Sequence, residues 1–166
     1  MPKKKAPKFN PKSTLVIIVT LLIGFFGGIT YQGYQESQTE KLPDELIVTR
    51  IIDGDNVELS TGESVRLYGV NCPEKKQPFS KEAIDLTTKL ALNQEIRIEY
   101  QPNYKKDRWD RILGYVFIND THLNEELVRS GLCEVVIYEK RAKLIYQDEL
   151  LEAQDQAKQQ KLGKWE

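Results

Sequence analysis

Four short stretches of this chain hold residue types that can do chemistry. Asp53-Gly54-Asp55 sets two carboxylates on one tight turn. Carboxylate oxygens so placed can converge on a hard cation without long flexible arms, although Asp-Gly is also an ordinary turn signal. Arg66, between Val65 and Leu67, offers either a planar donor fork for a phosphate or an outward-facing surface charge. In Asn71-Cys72-Pro73-Glu74 the proline stiffens a loop and would hold Glu74 in one place, unless Glu74 is simply a solvated loop residue. Asp107-Arg108-Trp109-Asp110-Arg111 can pair phosphate contact with base stacking, or can be a charged loop with one anchoring tryptophan. Singly these signals are weak. Together and in order they are specific. His122 is the single histidine; beside the Asn119-Asp120 turn it is expected on the surface, not as a general base.

The elements that must position these groups are legible from periodicity. β-Branched stretches predict strands over 45–52, 57–59 and 64–70, with turns at Asp53–Asn56 and Thr61–Glu63. Apolar residues at helical spacing predict a helix from Ser80, as its cap, to about Leu92. Strands follow over 95–100 and 112–118. A short helix over 123–130 closes at Gly131, and a last helix runs from about 142 to 160. Three strands, a helix, two strands and two helices fit an α+β fold that is mainly β barrel: a five-stranded OB-fold barrel with three helices.

Composition bounds the rest. The 166 residues are 40% hydrophobic and 30% charged, which excludes a wholly disordered chain and a polytopic membrane protein. Five of the 24 basic residues precede residue 13 and none of the 25 acidic ones does, so the body is acidic. An acidic body argues against a non-specific nucleic-acid coat. Two cysteines exclude a disulfide-dense scaffold and a four-cysteine zinc site, and spacing alone gives little support for pairing Cys72 with Cys133.

Residues 1–13 form a basic N-terminus. An uncharged apolar run begins at Thr14 and extends, with interfacial Tyr31, over 14–31. At 1.5 Å per residue it spans roughly 26 Å, enough to cross a bilayer core. With lysines before it and no Ala-x-Ala after it, this run is expected to be an uncleaved single-pass transmembrane anchor. Its N-terminus would be cytoplasmic and the remainder outside, or secreted if the anchor is cleaved. Residues 32–43 read as a polar linker, and 44–166 as the folded domain. The membrane is thus an expected partner through this helix, and no obligate protein partner is evident.

Ile51–Asp55, Val65–Leu67 with Pro73-Glu74, Asp107-x-x-x-Arg111, Leu123–Gly131 and the closing Gly163-Lys164-Trp165 resemble the staphylococcal nuclease (thermonuclease) family, over about residues 46–165. The resemblance implies an OB-fold barrel and Ca2+-dependent hydrolysis of DNA and RNA phosphodiester bonds. It implies that Asp55 ligates Ca2+, that Asp53 acts on it through water, and that Cys72 offers its backbone carbonyl. It makes Glu74 the residue that positions or deprotonates the attacking water, and Arg66 and Arg111 the phosphate clamps. Arg108 and Trp109 are then substrate-binding. Three positions depart from the family pattern: Asn71 replaces a metal-binding Asp, Asn56 a Thr, and Asp110 a Gly. The Asn71 change removes a charge from the site and keeps open a second reading, a catalytically weak module that binds nucleic acid or protein. A surface structural protein that merely uses the fold is the remaining alternative.

Overall fold

The computed structural model describes residues 45–166; the expected basic N-terminus, anchor and linker lie outside the described residues. Strand β1 (Leu46–Asp53) buries Leu46 and Val48 and ends in the Asp53-Gly54-Asp55 turn. The turn leads into β2 (Asn56–Leu59), and Asp53 stands opposite Asn56 in the antiparallel register. A second turn, with Gly62 at φ 84°, leads into β3 (Ser64–Leu67). After β4 (Val70–Asn71) comes helix α1 (Ser80–Ala91), then β5 (Glu95–Glu99) and β6 (Ile112–Ile118). β7 (Thr121–His122) leads into α2 (Leu123–Arg129). β8 (Glu134–Val135), α3 (Gln147–Gln159) and a 3-10 turn (Gly163–Trp165) complete the chain.

β1 pairs with β2 and β5, β2 with β3, and β5 with β6, all antiparallel; a parallel pairing of β3 with β6 closes the ring. Five strands therefore form a closed barrel that, with three helices, matches the expected OB-like α+β fold. Closure explains β6, whose seven residues Ile-Leu-Gly-Tyr-Val-Phe-Ile are all buried. Gly114 lets β5 come close, since a Cβ there would sit 2.4 Å from Ile98. Val48, Val57, Leu59, Val65 and Leu67 fill the interior, each contributing about 1.5–3 kcal/mol by burial.

Buried side-chain amides tie the outer pieces to this barrel. Asn124 accepts from the Val116 N–H at 3.0 Å and donates to the Tyr68 carbonyl at 2.9 Å, fixing α2 against the end of β3. Gln101 donates to the Lys143 carbonyl at 3.0 Å and accepts from the Ile145 N–H at 3.1 Å. That clamp holds 143–145 as a loop, so α3 begins at Gln147 rather than near residue 142. Two further expectations are corrected. Ser80 does not cap α1: Phe79, at φ 65°, precedes the helix and Ser80 is buried as its first residue. His122 is not a surface residue: it is 8% exposed, with its ring stacked on Phe117 at 4.5 Å and beside Tyr115 and Tyr146.

Candidate functional site

The Asp53–Asp55 turn is folded on itself. The Asp55 N–H donates to Asp53 Oδ1 at 3.2 Å, which turns the two carboxylates toward one region. Asp55 is buried. Its Oδ2 accepts the Cys72 N–H at 2.6 Å and lies 3.0 Å from Arg66 Nη2. Burial pushes the Asp55 carboxyl up to about 7, against the pull of Arg66 and the Cys72 N–H, and neighbouring Asp53 adds to the rise.

Arg66 is not outward-facing. Its Nη1 donates to the carbonyls of Leu67 at 2.8 Å and Val70 at 2.9 Å, and its Nη2 reaches Asn71 Oδ1 at 3.3 Å. One side chain from β3 thus gathers the turn, the strand end and the loop that carries Glu74. The oxygens of Asp55 and Asn71 converge on a single guanidinium nitrogen.

Arg111, at the start of β6, belongs to the same cleft. Its Nε donates to Asp107 Oδ2 at 2.7 Å, while Asp107 Oδ1 accepts the N–H groups of Trp109 at 2.9 Å and Arg111 at 3.1 Å. Partial burial opposes ionisation of Asp107, yet these donors hold its carboxyl below the usual range. Trp109 is 62% exposed, with the Arg108 guanidinium 3.9 Å and that of Arg111 5.0 Å from its ring centre. Arg66, Arg108, Trp109 and Arg111 line one cleft of about 460 Å³.

Sequence reasoning missed the far wall of that cleft. Tyr68, Tyr104, Tyr138 and Arg141 line it as well. Arg141 donates to the Tyr68 hydroxyl at 3.0 Å, and its guanidinium lies 4.6 Å from the ring centres of both Tyr104 and Tyr138. The cleft therefore combines several cations with the exposed ring of Trp109 and the half-buried rings of Tyr104 and Tyr138, a pairing suited to a backbone of phosphates carrying flat bases. Tyr104 and Tyr138 lie on loops, and no local pattern marks them in the sequence.

Glu74 is exposed just past Pro73. Its N–H donates to the Gln77 side-chain oxygen at 2.9 Å and its carbonyl accepts the Gln77 N–H at 2.9 Å. The backbone is fixed while the carboxylate faces solvent. Cys72, immediately before, is bonded to Cys133, which leaves no free cysteine among the described residues.

Among the described residues no three His, Cys, Asp or Glu side chains gather into a metal-binding group. The donors at hand are all oxygen: the Asp53 and Asp55 carboxylates, the Asn71 amide and nearby backbone carbonyls. This set fits a hard divalent cation, and it is poor in charge.

Comparison with known proteins agrees with this geometry. The profile of the staphylococcal nuclease homologues matches residues 64–166. The chain belongs to the staphylococcal nuclease family. It is 32% identical to the thermonuclease of Staphylococcus intermedius over 92% of this chain and 95% of that one. It is 35% identical to the Staphylococcus hyicus thermonuclease over 71% of this chain and 73% of that one. Endonuclease YncB of Bacillus subtilis is 29% identical over 80% of this chain and 67% of its own.

Within the family frame, Asp110 now has a physical reading. It adopts φ 63°, the left-handed region where glycine is at ease and aspartate is tolerated. Its carboxylate lies 3.3 Å from Lys106.

Proposed function

We propose that this chain is a Ca2+-dependent nuclease that hydrolyses phosphodiester bonds of DNA, RNA or both. The observation that carries the reading is the convergence of Arg66 and Arg111 on one aromatic-lined cleft, with Asp55 at hydrogen-bond distance from Arg66. Asp55 and Asn71 would hold the cation directly with the Cys72 carbonyl, and Asp53 would act through water. Once bound, the cation supplies positive charge beside the phosphoryl oxygens and favours ionised water. Arg66 and Arg111 grip the phosphate and stabilise the charge that grows on it. Glu74, on its stiffened loop, takes the proton from the attacking water. Arg108 and Trp109 hold the flanking nucleotide by charge and stacking.

Two features support a catalytically weak nucleic-acid-binding module as the second reading: neutral Asn71, and the internal partners that already occupy the Arg66 fork. Incubation of the protein with plasmid DNA, with Ca2+ or with EDTA, decides between them. Degradation only with Ca2+ supports the enzyme. Retarded but intact DNA in both conditions supports the module.

We further propose that residues 14–31 anchor the chain in the cell membrane, residues 1–13 lying inside and the nuclease domain 44–166 outside. The lysine-flanked apolar run supports this placement, as does the Cys72–Cys133 disulfide, since such bonds persist in oxidising compartments. Protease added to intact spheroplasts should remove the domain. Digestion only after lysis would reverse the topology, and release into the medium with a new N-terminus near residue 31 would make the run a signal peptide.

A further inference from the structure

We propose that the Cys72–Cys133 disulfide is a positioning element of the site: it holds the Asn71–Glu74 loop against the Asp53–Asp55 turn and thereby sets cation affinity and turnover. The inference rests on the nuclease reading and adds to it a covalent link on which the site depends.

Arg66 holds the start of the loop through the Val70 carbonyl and Asn71 Oδ1. Beside it, β4 and β8 pair through two residue pairs, Val70 with Val135 and Asn71 with Glu134. Beyond them the chain runs exposed from Glu74 to Pro78. Cys72 is the junction. Its N–H binds Asp55 Oδ2 at 2.6 Å. Its Cβ and Sγ pack so closely on the turn that a Cβ at Gly54 would lie 2.9 and 3.1 Å from them. The turn is braced from behind, where Thr87 of α1 donates to the Gly54 carbonyl at 2.7 Å.

Cys133 is the fixed end. It is wholly buried, and its N–H donates to the Leu127 carbonyl at 3.1 Å, at the C-terminus of α2. Asn124 on the same helix binds the Tyr68 carbonyl, next to the end of β3 that bears Arg66. The disulfide therefore ties the loop of Asn71 and Glu74 to the helix that is itself pinned to the Arg66 strand. A link on the residue that would offer its carbonyl and that adjoins Asn71 acts as outer support of a metal site, and losing such support typically costs about 10- to 100-fold in metal affinity or activity.

A dithiol reductant would transfer two electrons and two protons to the S–S bond. It would leave two cysteine thiols and become a disulfide itself. The arrangement thus predicts that the oxidised protein is the competent form.

The test compares the oxidised full chain, the same chain reduced with dithiothreitol (thiols counted by titration), and the Cys72→Ala/Cys133→Ala variant, at a temperature where circular dichroism shows all three folded. Three quantities are read: Ca2+ Kd by calorimetry, DNA affinity in EDTA, and kcat at saturating Ca2+. The expected result is about tenfold weaker Ca2+ binding and lower kcat in the reduced and variant forms. DNA affinity in EDTA should be unchanged, because Trp109, Arg111 and Arg141 lie outside the loop. Reoxidation should restore the wild-type chain, and the variant should ignore reductant. Equal Ca2+ Kd and kcat in all forms, with only a lower melting temperature, would overturn the proposal and leave the disulfide a structural staple. Failure of the oxidised chain to bind Ca2+ or cut DNA would instead overturn the nuclease reading on which the proposal rests.

Discussion

The Arg66 guanidinium lies 3.0 Å from the buried carboxylate of Asp55, and the same nitrogen reaches the Asn71 amide oxygen at 3.3 Å. A residue assigned to phosphate and two assigned to a cation therefore share one contact. In this structure Arg66 partly compensates Asp55; on the proposed reading a bound cation would take over that compensation and free Nη2 for the cleft. A second donor, Nη1, is held by the carbonyls of Leu67 and Val70, which orients the group.

Asn71→Asp adds a charge at this shared point. The variant should bind Ca2+ about tenfold more tightly, since ligand charge count sets Ca2+ affinity and a unit charge at short range is worth a few kcal/mol before desolvation. A Ca2+ titration of the cleavage rate should show a lower midpoint with little change at saturation. An unchanged midpoint would mean that the residue does not touch the cation.

Trp109 offers an exposed ring with guanidinium groups beside it. Replacing it with alanine removes a stacking platform worth about 1–3 kcal/mol per base. KM for single-stranded DNA should rise about tenfold while kcat stays close to wild type. A fall in kcat at constant KM would move Trp109 from substrate binding to the chemical step.

His122 should make the fold acid-sensitive. Burial lowers its pKa below the ordinary value; Glu125, Glu99 and Glu149 pull the other way. The unfolded chain then takes up the proton first, so stability falls as pH drops through about 6.5 and stops falling below the folded pKa. Nε2 has no hydrogen-bond partner among the described residues, and the ring already lies among Tyr115, Phe117 and Tyr146. His122→Phe should therefore flatten urea unfolding free energies between pH 7.5 and 5.5. If the slope persists in the variant, other groups carry it.

Much of this was readable along the chain because it is local. The unbroken apolar run of β6, the Asp-Gly turn and the glycine at the end of α2 each declare themselves within a few residues. What escaped is set by partners distant in sequence. Gln101 shortens α3 by holding residues 143–145. Phe117 and Tyr146 enclose His122. Arg141 joins the cleft only because Tyr68, Tyr104 and Tyr138 meet there. The disulfide joins residues 61 apart, a pairing that spacing could not single out. Among the proposed functional positions, resemblance to the family pointed to Arg66, Glu74 and Arg111. The geometry adds that Arg66 faces inward and that Glu74 stands in solvent on a fixed backbone.

The central claim is that Glu74 activates water for phosphodiester cleavage in the cleft of Arg66 and Arg111. Its exposed carboxylate makes the cleanest probe, since Glu74→Gln keeps the shape and disturbs no buried contact. The decisive measurement is kcat for DNA cleavage at saturating Ca2+, wild type against Glu74→Gln, with folding checked by circular dichroism. The account predicts a loss of about 100-fold or more in kcat with the fold and DNA binding intact. Cleavage by Glu74→Gln at close to the wild-type rate would contradict it.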